Sequence, residues 1–221
     1  MRLFKTLAFS AIYAVLSAAT TLSHAQSTPM DAAVAAYEAG DLKTAAAGFA
    51  ALSAQHKPLG DFNLAMMHLR AEVPKPNGRL AKRLLERAAA KNLVLAELAL
   101  GQFYEQGRLG KRDMVQANRW YAKAAEHGNT DGQVAIATAH YLGRGAAKDM
   151  GQAARWYREA ANGGDVGAQY LLASMYESGL GLTADLRLAR YWYDIAARNG
   201  DEAAPTKVKE MDARLAEGPP A

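Results

Sequence analysis

Three tryptophans, Trp120, Trp156 and Trp192, recur at intervals of 36 residues, and their surroundings recur with them. Each is followed by a tyrosine (Tyr121, Tyr157, Tyr193) and then by an alanine pair (Ala124–Ala125, Ala160–Ala161, Ala196–Ala197). An aspartate precedes each (Asp113, Asp149, Asp185), and a glycine closes each block (Gly128, Gly164, Gly200). A period of this length marks a stacked repeat, whose units cannot bury their apolar faces alone. Such a chain offers a long shared surface and no obvious reaction centre.

Within the repeat the apolar spacing is helical. Ala117, Trp120, Tyr121, Ala124 and Ala125 form one stripe of a helix, here termed B, and the next two units repeat it. Asn77, Asp113, Asp149 and Asp185 stand where an N-cap oxygen accepts a free backbone N–H. Asp113…Gln116 and Asp149…Gln152 have the spacing of a capping box. Upstream of each lies a second stripe, helix A, such as Ala96, Ala99, Leu100, Phe103 and Tyr104. The expected fold is therefore all-α: an α-solenoid of about five antiparallel helix pairs with a C-terminal capping helix. Its expected segments are 1–25 signal peptide, 26–58 a first helix pair, 59–92 a degenerate repeat, three regular repeats at 93–128, 129–164 and 165–200, and 201–221 the cap with a disordered tail.

Residues 1–25 read as an export signal: Arg2 and Lys5, an apolar stretch from Leu7 to Leu22, and the small-x-small site Ser23-His24-Ala25. The expected location is the periplasm or the exterior. Cleavage there would lower the net charge from +4 to +2, because only Arg2 and Lys5 would be lost. That near balance and the export route argue against nucleic acid as a partner. No later apolar run is long enough for a stable membrane span. Without cysteine there are no disulfides, so packing alone must stabilise the fold.

With these residues in view, the chain resembles the Sel1-like repeat proteins, a branch of the tetratricopeptide-repeat superfamily. The resemblance is carried by ALGQFYEQGRLGKRDMVQANRWYAKAAEHGN at Ala99–Asn129 and by the matching run at Tyr170–Asp201. The run at Val134–Asp165 fits as well, with His140 and Leu142 in place of the usual Tyr and Glu. The first unit, with its YEAGDLKTA, is closer to an ordinary tetratricopeptide repeat. The resemblance implies a right-handed superhelix and a non-enzymatic, exported scaffold or adaptor in envelope-associated signalling or assembly. Its partner would be a protein or peptide held on the concave face built by the A helices. Polar positions beside the stripes (Glu97, Gln102, Gln133, Thr138, Gln169 and Ser174) are the expected contacts.

The residues carry no stronger chemistry. There is no HExxH, no nucleophile elbow and no Walker loop, so no catalytic, metal or cofactor residues are assigned. His68 and His140 share a period position with Tyr104 and Tyr176, and packing as aromatic substitutes is expected of them. The Trp-Tyr pairs are expected to form the repeat core rather than a sugar platform. The bases Lys75, Arg79, Arg108, Lys111, Arg112, Arg144 and Lys148 recur near the turns and leave an anionic polysaccharide open as a partner. An exopolysaccharide- or peptidoglycan-binding module is thus the alternative reading, and an envelope hydrolase a remoter one.

Overall fold

The computed structural model describes residues 28–108 and 110–217. The expected export signal and the Gly218-Pro219-Pro220 tail lie outside them. The described residues contain helices and no strand: α1 Pro29–Glu38, α2 Leu42–Ala54, α3 Pro58–Leu69, α4 Gly78–Ala89, α5 Val94–Gln106, α6 Met114–Glu126, α7 Thr130–Leu142, α8 Met150–Asn162, α9 Val166–Ser178, α10 Leu186–Arg198 and α11 Ala204–Glu217. Each helix packs chiefly on its neighbours in sequence, so five antiparallel pairs and a terminal helix stack into an all-α solenoid.

Local chemistry explains the regularity. Asp113, Asp149 and Asp185 accept from the backbone N–H groups of Gln116, Gln152 and Leu188 at 2.9–3.0 Å, fixing the starts of α6, α8 and α10. Only that half of the expected capping box forms. The aspartates' own N–H groups donate instead to Tyr104, His140 and Tyr176 carbonyls at 2.9–3.0 Å. This swap ties the end of each A helix to the start of its B helix. Asn129, Asp165 and Asp201 cap α7, α9 and α11 in the same register.

Backbone conformation extends the period into the units whose residues have drifted. Gly128, Gly164 and Gly200 take positive φ, and so do His56 and Asn92 at the same register. Ala71 (φ 57°) likewise holds the place of Gly107, Gly143 and Gly179. A left-handed alanine costs about 1 kcal/mol that glycine avoids. Ala71→Gly is therefore expected to stabilise the protein by up to about 1 kcal/mol, reduced by glycine's larger unfolded-state entropy. A fall in the urea midpoint would contradict this.

The core is made of alanines facing larger side chains. Ala117, Ala153 and Ala189 are fully buried, as are Ala124, Ala160 and Ala196, which lets adjacent helices approach closely. Gly101 lies so near the Tyr121 ring that a Cβ there would stand 2.5 Å from Cε1. The Trp-Tyr pairs divide. Tyr121, Tyr157 and Tyr193 are buried, while Trp120, Trp156 and Trp192 are only half-buried. Nor do His68 and His140 pack as plain aromatic substitutes. His68 Nδ1 accepts from Asn77 N–H at 3.2 Å, and His140 Nδ1 lies 3.2 Å from the Ala147 carbonyl oxygen, so both tether the loop between helices A and B.

Candidate binding surface

The six polar positions expected on the A helices fall into two columns with opposite fates. Gln102 is exposed, and Thr138 and Ser174, one period apart from it and each other, are half-buried. Glu97, Gln133 and Gln169 form the other column and are 1%, 8% and 2% exposed, so they cannot meet a partner as expected. The physical reason is their register. They point from helix A toward the end of a B helix, where backbone carbonyls and polar side chains await them.

That column begins one period earlier, at Asp61, which sequence reasoning missed and which is completely buried. Asp61 accepts from Ser53 Oγ at 2.7 Å and from Arg87 Nε at 2.6 Å, and Arg87 Nη2 also reaches its other oxygen. The carboxylate in turn holds the Arg87 guanidinium above its ordinary pKa. Glu97 Oε2 lies 2.8 Å from His127 Nδ1. Gln133 and Gln169 donate to the Ala125 and Ala161 carbonyls at 3.4 and 3.2 Å, and Asn199 donates to Gln169 Oε1 at 3.0 Å. Asp61 and Gln169 stitch their A helices to the B helices on both sides, Glu97 to the end of the following one, and Gln133 to the preceding one. A 36-residue run of polar residues at one stripe-edge position was the available signal.

A second column lies under the exposed face of the A helices. The buried tyrosines reach through the stack and end there: Tyr121 Oη donates to Glu105 at 2.7 Å, and Tyr193 Oη to Glu177 at 2.8 Å. Burial, and next the carboxylate partner, push both phenols far above their ordinary pKa, so they stay neutral donors. In the middle unit Tyr157 Oη meets Thr138 Oγ1 at 3.0 Å. The residue at the glutamate's register there is Tyr141, not the Leu142 expected from the aligned run. Glu177 is also held by Arg214 (2.9 Å) and Lys207 (3.7 Å) of α11, which ties the terminal helix to the same face.

At the opposite end of the stack, α1, α2 and α3 enclose a recess of about 40 Å³ lined by Val34, Tyr37, Phe49, Asn63, Met66 and Met67, with Glu38 and Glu72 at its edge. Tyr37 Oη donates to Glu72 at 3.0 Å and accepts from Arg70 Nη1 at 2.9 Å. An apolar floor with a charged, hydrogen-bonded rim suits an anchoring side chain rather than bond-making chemistry. Among the described residues no group of three or more histidines or acids comes together as metal ligands would. No described helix is long and apolar enough to cross a membrane.

Comparison with known proteins follows this geometry. A family model described as Sel1 repeat matches residues 58–93, 94–129, 130–165 and 166–201. A Sel1 repeat protein from Oxalobacter formigenes is 27% identical, with a TM-score of 0.66 over 80% of this chain and 73% of its own. A protective antigen of uropathogenic Escherichia coli with an SLR fold is also 27% identical, with a TM-score of 0.70 over 76% of this chain. This chain spans only 36% of that antigen's length. No curated protein matches. Sel1 repeat proteins are generally scaffolds for protein–protein interaction. With α3 to α10 matched as four successive repeats, this chain belongs to the Sel1 repeat family.

Proposed function

We propose that this chain is an exported, non-enzymatic scaffold that holds a protein or peptide segment along its A helices, α1, α3, α5, α7 and α9. The observation that carries the reading is the recess between α1 and α3, continued by the polar positions Gln102, Thr138 and Ser174. An apolar side chain of the partner enters between Val34, Phe49 and Met66, and Glu38 and Glu72 meet a neighbouring base. The scaffold loses little entropy on binding, because the tyrosine–carboxylate bonds already hold the face in place. Residues 1–25 supply the export part of the reading, and the periplasm or the exterior is its setting.

The test is photocrosslinking in intact cells from Asn63 and Gln102, with the exposed Glu202 between α10 and α11 as the control. A defined protein captured from the first two positions and not from the third is the expected result. Capture from Glu202 alone, or from none of the three, would overturn the assignment.

A further inference from the structure

The B helices carry a register that the A-helix face does not use. Arg83 of α4, Arg119 of α6 and Arg155 of α8 stand one period apart, and all three are exposed. The same position in α10 is Tyr191, at 52% exposure the most open large apolar side chain among the described residues. Other arginines nearby are satisfied within the fold: Arg87 by Asp61, Arg190 by Asp212 and Arg198 by Asp194. Among the described residues, Arg83 and Arg119 have neither an ion-pair nor a hydrogen-bond partner. Arg155 rests over the Trp156 ring, 5.1 Å from its centroid, which leaves the in-plane N–H donors of the guanidinium unused.

The next unit's loop adds to this row. Asn118 donates to the Arg144 carbonyl at 2.8 Å, and a Cβ on Gly145 would stand 2.6 Å from Met114 Cβ. The loop after α7 thus lies along α6 and carries the exposed Arg144 with it. Each of α4, α6 and α8 holds a single acid (Glu86, Glu126, Glu159), which follows the arginine by three, seven or four residues and so shares its face. With Lys82, Lys123 and Arg158 beside the three arginines, bases outnumber acids on every one of these helices, and the strip is basic in excess and ends in an aromatic side chain.

Spacing and chemistry point to one occupant. Guanidinium forks bind carboxylates bidentately. Helix axes cannot approach closer than about 8 Å, α4, α6 and α8 pack through the intervening α5 and α7, and an extended chain rises about 3.3 Å per residue. Carboxylates must therefore stand at least about three residues apart in an extended segment to reach successive arginines. Two of the three indoles are closed to a stacking sugar ring, because Lys123 sits 4.3 Å over the Trp120 ring and Arg155 covers that of Trp156. We propose that the outer face of α4, α6, α8 and α10 docks an extended acidic polypeptide segment, its carboxylates on Arg83, Arg119 and Arg155 and an apolar residue beyond them on Tyr191. This docking is independent of the A-helix reading, and either can fail alone.

Fluorescence anisotropy with the full chain tests it, using a labelled peptide of about a dozen residues with Glu at every third position among Ser and Gly, and a terminal Leu. The triple variant Arg83→Ala, Arg119→Ala, Arg155→Ala is expected to raise Kd about tenfold, the sum of three modest exposed ion pairs. Its helical circular dichroism should match the parent, since all three side chains are exposed. Tyr191→Ala should weaken binding about threefold, and a peptide of the same composition with adjacent glutamates should bind about fivefold more weakly. Gln102→Ala should leave Kd unchanged. Equal affinity in the triple variant, or for the clustered peptide, would overturn the proposal. So would displacement of the peptide by a uronic-acid oligosaccharide at lower concentration than by unlabelled peptide, or a loss of binding in Gln102→Ala.

Discussion

Replacing Arg87 with methionine is expected to cost about 3–5 kcal/mol, although half-exposed arginines usually contribute about 1 kcal/mol or less. The difference lies in the partner. The Asp61 side chain is fully buried while that of Arg87 is 38% exposed, so the guanidinium acts as the cover over an interior carboxylate. Without it, Asp61 keeps only the Ser53 hydroxyl, and Ser53 loses the bonds from Arg87 Nη2 to its oxygen and carbonyl at 2.8 and 3.1 Å. Arg198→Met is the control. Its partner Asp194 lies one turn away on the same helix, so the loss should be about 0.5 kcal/mol or less. The double variant Asp61→Asn, Arg87→Met should recover much of the deficit, because the uncompensated charge is then gone. Since Ser53, Asp61 and Arg87 sit on α2, α3 and α4, the damage should fall at the junction of the first two pairs. Urea unfolding followed by circular dichroism gives the magnitude, and amide exchange in α1 and α2 gives the place. A loss below about 1 kcal/mol would show that water reaches Asp61 without help.

The period, the N-caps and the glycine stops were legible because each is a local requirement repeated on one chain. Asp113, Asp149 and Asp185 cap their helices whatever surrounds them. The family and the all-α stack followed from the same residues. The candidate surface was legible only in part, because a polar residue beside an apolar stripe reads alike whether it faces water or a neighbouring helix end. Glu97, Gln133 and Gln169 were expected to be contacts and are buried, while Gln102 kept its exposure. Their partners, His127 and the Ala125 and Ala161 carbonyls, come from adjacent helices and depend on how the pairs are stacked. The drifted first units were obscure for another reason. His56, Ala71 and Asn92 hold backbone positions that elsewhere belong to glycine, and only the φ angles reveal the shared register.

The division of labour within each Trp-Tyr pair gives the second large effect. Tyr193→Ala is expected to cost about 3–5 kcal/mol, more than the loss of its larger neighbour. Tyr193 is 1% exposed, its ring meets the edge of Tyr170 at 5.1 Å, and its hydroxyl reaches Glu177 at 2.8 Å. Truncation opens a cavity between α9 and α10 that the close-packed alanines beside it, Ala189 and Ala196, cannot fill. Tyr193→Phe keeps the ring and loses only the hydroxyl. Arg214 and Lys207 still satisfy Glu177, so that loss should be about 1 kcal/mol. Trp192→Ala should fall between the two at about 2 kcal/mol, because a half-buried indole gives up less apolar contact. In a stack stabilised by nearest neighbours, the Tyr193→Ala deficit should also loosen α11, which packs on α10 and shares Glu177 with it. Urea melts should rank the variants Tyr193→Ala, Trp192→Ala, Tyr193→Phe, with amide exchange accelerated in α9 to α11. If Trp192→Ala proves the most damaging, the indoles and not the tyrosines hold the layers together, and the split assigned to each pair is reversed.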